Sequence, residues 1–513
     1  MTRASGTFDV IAFGASGDKA QNAQAAIQAA MDACGDAGGG VVYFPPGAYT
    51  TATIHLRSHT RLYLEAGATL FSSKDPDAWE MKALLYGEDL QHISIEGRGV
   101  IDGQATYEWR LSDHDDQYIA DNQRRMEAAG KPLMRAFPTA DSIGNLLLLK
   151  RCKDVLIRDV SFLDSPSWAM HPYACERLTI DNVYVHSSRE AGVWSDGIDP
   201  DGCKDVRISN CTIDTGDDAL VFYSSEVYGP ALPCENITVT NCRLSSSSSA
   251  LKFCDGIKNC VRNVTIDNCI ISDSNRGIAF MEFDGGYVSD VVISNMTIEC
   301  RRHDWFWWGD GDPFHFRVIQ RSEIHPEADW PEEPPPGSIR NVRIENVIAR
   351  GCSPSVCCGH ADSNLSGITM KGVQLTVAAD PEGVYETPGP ALTFRHVRDL
   401  RLEDIEVVWE DVPSDQWGSA LHLDDVDDLT LSGIRASSPP AAPAHAAVTL
   451  TQVKRANLRQ CDAAEGTQTF LHIEGERTRA VRLVDNRLDR AATPCRTTAD
   501  GPADAVVDAV EPQ

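Results

Sequence analysis

The most constraining feature of the chain is a short pattern that returns along most of its length. It is an alternating apolar strand, then Asn, Asp or Gly, then a second short apolar stretch. It reads ISIEGRGVID from 93, VLIRDVSF from 155, LTIDNVYV from 178 and VRISNCTI from 206. Further copies are ITVTNCRL from 237, VTIDNCII from 264, VVISNMTI from 291, VRIENVIA from 342, ITMKGVQL from 368, LRLEDIEV from 400 and LTLSGIRA from 429. The turn residues Asn182, Asn210, Asn241, Asn268 and Asn295 follow one another at intervals of 28, 31, 27 and 27 residues. Period-2 alternation closed by Asn, Asp and Gly specifies short strands joined by turns. A fixed period in the twenties specifies a stacked solenoid. The intervals are too short for βαβ units, and no 3.6-residue apolar period lies between copies. An antiparallel sandwich or propeller would need hairpin turns such as Asn-Gly, and none separates the copies. The expected fold is all-β, a right-handed parallel β-helix with coils about 4.8 Å apart. The recurring Asn suits a left-handed turn whose amide bonds to the next coil.

The N-terminus departs from this pattern. Residues 20–34 place Ile27, Ala30, Met31 and Cys34 on one helical face, with Asn22 as the expected N-cap and Gly35 as the stop. Such a helix caps the first open coil and shields its edge. The expected organisation is one β-helix domain over 1–490, with the cap at about 1–50 and the catalytic coils at about 150–320. A tail over 491–513 shows no strong period and reads as flexible. Residues 104–142 interrupt the coils, with a possible helix at 116–129.

Net charge is −29, which makes nucleic acid and anionic membranes poor partners. No run is long and apolar enough to span a membrane, and the start MTRASGTFDV lacks the apolar core of a secretory leader. The expected location is cytoplasmic, or secreted if a leader has been removed. The sixteen cysteines include no C-x-x-C pair and read as buried, reduced thiols rather than metal ligands. The oligomeric state is not legible.

Acidic chemistry concentrates in SDGIDPDGCKDVRISNCTIDTGDDALVF, from 195. Asp196 and Asp217 are 21 residues apart, about one coil, so Asp196 belongs beside the Asp217-Asp218 pair on one surface. Carboxylates crowded in this way cannot all ionise comfortably, which sets a proton donor beside an acceptor. Asp-rich turns explain the same letters, and DPDG at 199–202 weakly resembles a calcium loop whose other ligands are missing.

These residues resemble glycoside hydrolase family 28, the polygalacturonase-like β-helix enzymes. The likeness runs from FDVIAFGASGDKAQNAQAAIQAA through GGGVVYFPPGAYTT, LYLEAGATL, IDGQ, SPSWAMHPYAC, the acidic segment and WWGDGDP to VRIENV. The family's Asn-Thr-Asp falls on Trp194-Ser195-Asp196 and its Asp pair on Asp217-Asp218. The resemblance implies Asp217 as general acid, Asp196 and Asp218 activating water, and inversion at the anomeric carbon; no complete metal-ligand set is visible in the sequence, so no cofactor or metal is expected. Coil spacing alone does not imply inversion, since about 4.8 Å falls short of the roughly 6.5–9.5 Å carboxyl separation it wants.

Two departures bear on the substrate. LSSSSSALKFCDG at 244–256 replaces the family's Gly-His-Gly element and holds no histidine. NRGIAFMEFDGG keeps Arg276 of the uronate-gripping Arg-x-Lys element but supplies no lysine, and Glu282 adds a negative charge. Lys252 is a candidate replacement. Trp168, His171, Trp307 and Trp308 are candidate sugar contacts, although a buried histidine and a packed aromatic loop explain them equally. The expected function is an inverting, exo-acting glycosidase on an oligo- or polysaccharide other than galacturonan. The alternatives are a polygalacturonase or exo-polygalacturonosidase proper, a uronate lyase or epimerase, and a non-catalytic sugar-binding β-helix.

Overall fold

The computed structural model describes residues 6–105, 109–110, 137–138, 144–189, 192, 194–303, 309–324, 333–379, 388–410, 412, 414–498 and 506–508. Trp307, Trp308 and the proposed helix at 116–129 lie outside these residues. The chain is a parallel β-helix, and it falls into two compact units, one ending at Lys252 and one beginning at Phe253.

In the first unit the repeat forms one ladder of parallel strands. Ile95, Ile157, Ile180, Ile208 and Val239 stand in register, as do Ile93, Val155, Leu178, Val206 and Ile237. All ten are buried. Alternation sends every second residue inward, so each coil adds one slice to a continuous apolar core. The second unit repeats this logic. Val264, Val291, Val342, Ile368, Leu400, Leu429, Ala456 and Val481 form one inward row.

The repeating asparagines perform the expected task. Asn182, Asn210, Asn241, Asn268 and Asn295 all have φ between 53° and 58°. Their amides bond between coils: Asn241 Nδ2 donates to Asn210 Oδ1 at 2.7 Å, and Asn346 Nδ2 to Asn295 Oδ1 at 2.6 Å.

The capping helix spans Gln24–Asp36 and buries Ile27, Ala30, Met31 and Cys34. Its boundaries shift from the sequence reading. Ala23 is the N-cap, and Asn22 stands one residue earlier, where its side chain still accepts from Gln24 N at 2.8 Å. Gly35 is helical, and the helix ends at Ala37 ahead of Gly38 and Gly39, both with positive φ. The coils also run further than the sequence pattern. Strand Thr493–Thr497 pairs with Thr469–Glu474, and Val506–Asp508 pairs with Arg479–Val484. All sixteen cysteines are free. Among the described residues, no helix is long and apolar enough to cross a membrane.

Candidate active site

The acidic cluster is built by three successive coils of the first unit. Ala169 N donates to Asp196 O at 2.8 Å, Gly197 N to Asp218 O at 2.9 Å, and Ala219 N to Ser249 O at 3.0 Å. Gly197 makes this approach possible, because a Cβ there would stand 2.3 Å from Ala219 O. One carboxylate oxygen from each of Asp196, Asp217 and Asp218 lies within 4.8 Å of the others. The structure therefore brings together the three acids that the one-coil spacing placed on one surface.

Their environments differ. Asp196 is 3% exposed, and burial first, then the Asp217, Asp199 and Asp218 charges, push its carboxyl well above the usual range. Asp217 keeps part of its surface open. Burial and the adjoining Asp218 raise it too, with Lys252 opposing. Asp218 receives Lys252 Nζ at 2.7 Å and Ser249 N at 2.8 Å. The Asp217 carbonyl accepts from Thr215 and Ser246, which fixes the turn that presents the pair.

Three clustered carboxylates also make a conceivable cation site. Here the Lys252 ammonium already supplies a fixed positive charge at the cluster. The calcium-loop reading of 199–202 fails on geometry. Asp201 is buried and engaged by Ser225 N at 2.8 Å, Ser225 Oγ and His171 Nε2 at 3.3 Å, and Asp199 is fully buried.

Aromatic residues line the coil before Asp196. Trp168 is half-buried, stacks on Tyr223 at 4.9 Å and meets His171 at 4.5 Å. His171 is 1% exposed, so the reading of a buried, hydrogen-bonded histidine describes it. The segment after Ser225 folds over this face. Tyr228 packs on His171 and Tyr173, and Tyr173 Oη donates to Pro230 O at 2.9 Å.

The second unit holds Arg276 and Glu282 on the strand Arg276–Glu282. Arg276 is buried and faces Asp312 at 3.8 Å, whose other oxygen pairs with His315 Nδ1 at 2.7 Å. Burial and the Arg276 charge hold His315 down to about 4, so it is neutral at pH 7. Glu282 corrects the sequence reading. It shares the inward parity of Ile278 and Phe280, is 0% exposed, and lies under Gly337, where a Cβ would meet its Oε1 at 2.4 Å. Burial pushes it up to about 8, so it carries little negative charge at neutral pH. On the opposite parity, Ala279, Met281 and Phe283 form a buried apolar cluster with Ile319, and Arg276 Nη1 lies 3.8 Å from Met281 Sδ.

Sequence reasoning missed the roles of Asp199, Asp201 and Ser225 around the cluster, and the Asp312–His315 pair. The first two lay within the acidic segment, where their burial is legible only once the coils are stacked. No local signal marks His315.

The fold and the cluster define a β-helix bearing a buried cluster of carboxyls. Residues 41–300 match the pattern of glycosyl hydrolases family 28, and the chain belongs to that family. A probable polygalacturonase of Vitis vinifera is 26% identical over 239 residues, covering 42% of this chain and 44% of the relative. The exo-poly-alpha-D-galacturonosidase of Dickeya chrysanthemi is 25% identical over 255 residues, covering 42% and 41%. The chain thus spans less than half the length of these two relatives. The exopolygalacturonase of Thermotoga maritima has the same fold, with a TM-score of 0.59 at 22% identity over 80% of this chain and 93% of that one. The family 28 exopolygalacturonase of Yersinia enterocolitica gives 0.60 at 17% identity over 86% and 80%.

Proposed function

We propose that this chain hydrolyses glycosidic bonds at one end of an oligo- or polysaccharide, with inversion. The carrying observation is the cluster itself: burial and mutual repulsion raise Asp196 and Asp217, while Lys252 compensates Asp218. Such a set offers a proton donor and a proton acceptor together. Asp217, the partly open member, donates its proton to the leaving glycosidic oxygen. Water held by Asp196 and Asp218 attacks the anomeric carbon and gives its proton to Asp218, which releases it to solvent, and solvent reprotonates Asp217. Inversion rests on family membership, since the 4.8 Å span counts closest oxygens rather than carboxyl separation.

Exo action is supported by the cover over the preceding coil, where Trp168 lies on Tyr223 and the Tyr228–Pro230 segment closes the outward face. A substrate less charged than galacturonan is supported by the chain's net charge of −29. The second reading, an exopolygalacturonase, is favoured by the relatives' names. The test is product analysis on a panel of neutral and acidic oligosaccharides, with the anomeric proton followed by NMR. New reducing ends of inverted configuration support hydrolysis. Unsaturated products indicate a lyase, and binding without products indicates a lectin-like solenoid.

A further inference from the structure

The chain carries 46 basic and 75 acidic side chains, but the basic ones are not spread evenly. In the second unit, two rows flank the inward row on six successive coils. One is Arg340, Ser366, Arg398, Asp427, Lys454 and Arg479. The other is Arg343, Thr369, Arg401, Thr430, Asn457 and Arg482. At the chain's overall frequency these twelve positions would hold about one cation, and they hold seven, against a single acid. That acid, Asp427, is cancelled by Arg455 at 2.6 Å. Arg340, Arg343, Arg401, Arg479 and Arg482 are exposed.

Some of these cations have neighbours. Arg343 meets Glu345 at 3.3 Å and Arg401 meets Asp399 at 3.1 Å, but the two arginines are 56% and 53% exposed. Exposed pairs of this kind hold little energy, and each guanidinium has further donors to offer. Arg398 leans on Asp425 at 3.3 Å, and Arg340 lies over the Tyr287 ring at 4.2 Å. Lys454, Arg479 and Arg482 have no acidic partner among the described residues. The spacing is regular as well. The pairs Arg340–Arg343 and Arg398–Arg401 are separated by the one coil of Ser366 and Thr369, so they recur at about 10 Å. That interval is close to the length of two linked pyranose rings.

We infer that these rows are a docking surface for a linear polyuronate, a sugar chain bearing carboxylates, laid along the axis of these coils. Guanidinium groups take carboxylates through paired hydrogen bonds. Ser366, Thr369, Thr430 and Asn457 stand between the cations and suit ring hydroxyls. Neither row holds an aromatic side chain on which nucleic-acid bases would stack. The net charge of −29 does not forbid the contact, because exposed charges are screened beyond about 8 Å at physiological salt. None of these residues belongs to the acid cluster, and the inference does not rest on the hydrolase reading.

The test is affinity electrophoresis of the full chain through gels that hold polygalacturonate or its fully methyl-esterified, uncharged form, at low and moderate salt. Wild type is expected to be retarded by polygalacturonate alone, and less so as salt rises. Arg398→Ser with Arg401→Thr gives that coil the residues its neighbour already carries in register, Ser366 and Thr369. Its affinity for polygalacturonate should fall by about tenfold or more. Arg479→Ser with Arg482→Thr repeats the test on another coil, and decides it if the first variant does not fold. Lys82→Ser with Arg98→Ser removes as much charge from exposed positions of the first unit and should leave retardation unchanged. An equal loss in that control reduces the effect to net charge and overturns the site. No retardation of wild type, or retardation that survives the arginine variants, overturns it too. Competition by a single-stranded oligonucleotide as strong as that by oligogalacturonide overturns the choice of a saccharide partner. Turnover is not read in this assay, so failure of the hydrolase reading is detected separately.

Discussion

Lys252 Nζ lies 2.7 Å from Asp218 Oδ2, with the two side chains 13% and 4% exposed. The lysine that sequence reasoning offered as a grip for substrate is paired with the second acid of the Asp217-Asp218 turn. Removing one partner of a buried ion pair leaves the other charge uncompensated and costs about 3–5 kcal/mol. Lys252→Met is therefore expected to lower the melting temperature markedly, Asp218→Asn likewise, and the double variant to recover part of the loss. Additive losses in that double-mutant cycle, read by thermal denaturation, would show that the pair is not coupled.

Lys252 also lowers both Asp196 and Asp217. Asp217→Asn removes the proposed proton donor at constant volume, so kcat should fall by several orders of magnitude, about 10²–10⁴-fold, with an unchanged fold. Steady-state kinetics beside circular dichroism checks this. Near-normal turnover would remove Asp217 from the acid role.

Glu282 gives a pH signature in stability. Its folded carboxyl titrates near 8, against about 4.3 for an unfolded chain. Between those values the folded state holds a proton that the unfolded state has lost, so stability falls as pH rises from about 4.3 to 8. Glu282→Gln removes this slope. The variant should gain on wild type steadily across that window in denaturant midpoints, by several kcal/mol at its upper end. A constant difference at pH 5 and pH 8 would mean that Glu282 is ionised in the folded protein.

The fold was legible because period-2 alternation and the Asn spacing both report backbone geometry, and Asn182, Asn210 and Asn241 duly adopt positive φ. The acid triad was legible because one coil's spacing carries Asp196 to Asp217 and Asp218. Side-chain direction at strand ends was less so. Glu282 was read as a surface charge, yet it continues the inward row of Ile278 and Phe280. The buried state of Asp199 depends on what neighbouring coils place around it, which no local motif encodes. The last coils, through Thr493–Thr497, were missed because their residues alternate weakly and are largely exposed.

Chelation should leave activity and melting temperature unchanged. The three-carboxylate cluster carries its own cation in Lys252, and Asp201 is engaged by Ser225 and His171. Activity lost to EDTA and restored by calcium would reinstate a metal at Asp196, Asp217 and Asp218.

Substrate charge is the remaining question, and the structure changes its terms. Glu282 drops out, being buried and pushed up to about 8. One term remains against an acidic sugar: the chain carries −29 overall. A charge-assisted hydrogen bond to a uronate is worth roughly 1.5–3 kcal/mol, about ten- to a hundredfold in kcat/KM. Neutral oligosaccharides should therefore exceed oligogalacturonides by about tenfold or more at low salt. Global repulsion is screened beyond about 10 Å at 0.1 M salt, so the gap should narrow as salt rises. The measurement is a side-by-side kcat/KM series on neutral and acidic oligosaccharides at two salt concentrations. If oligogalacturonides win at both salt concentrations, the exopolygalacturonase reading replaces this one.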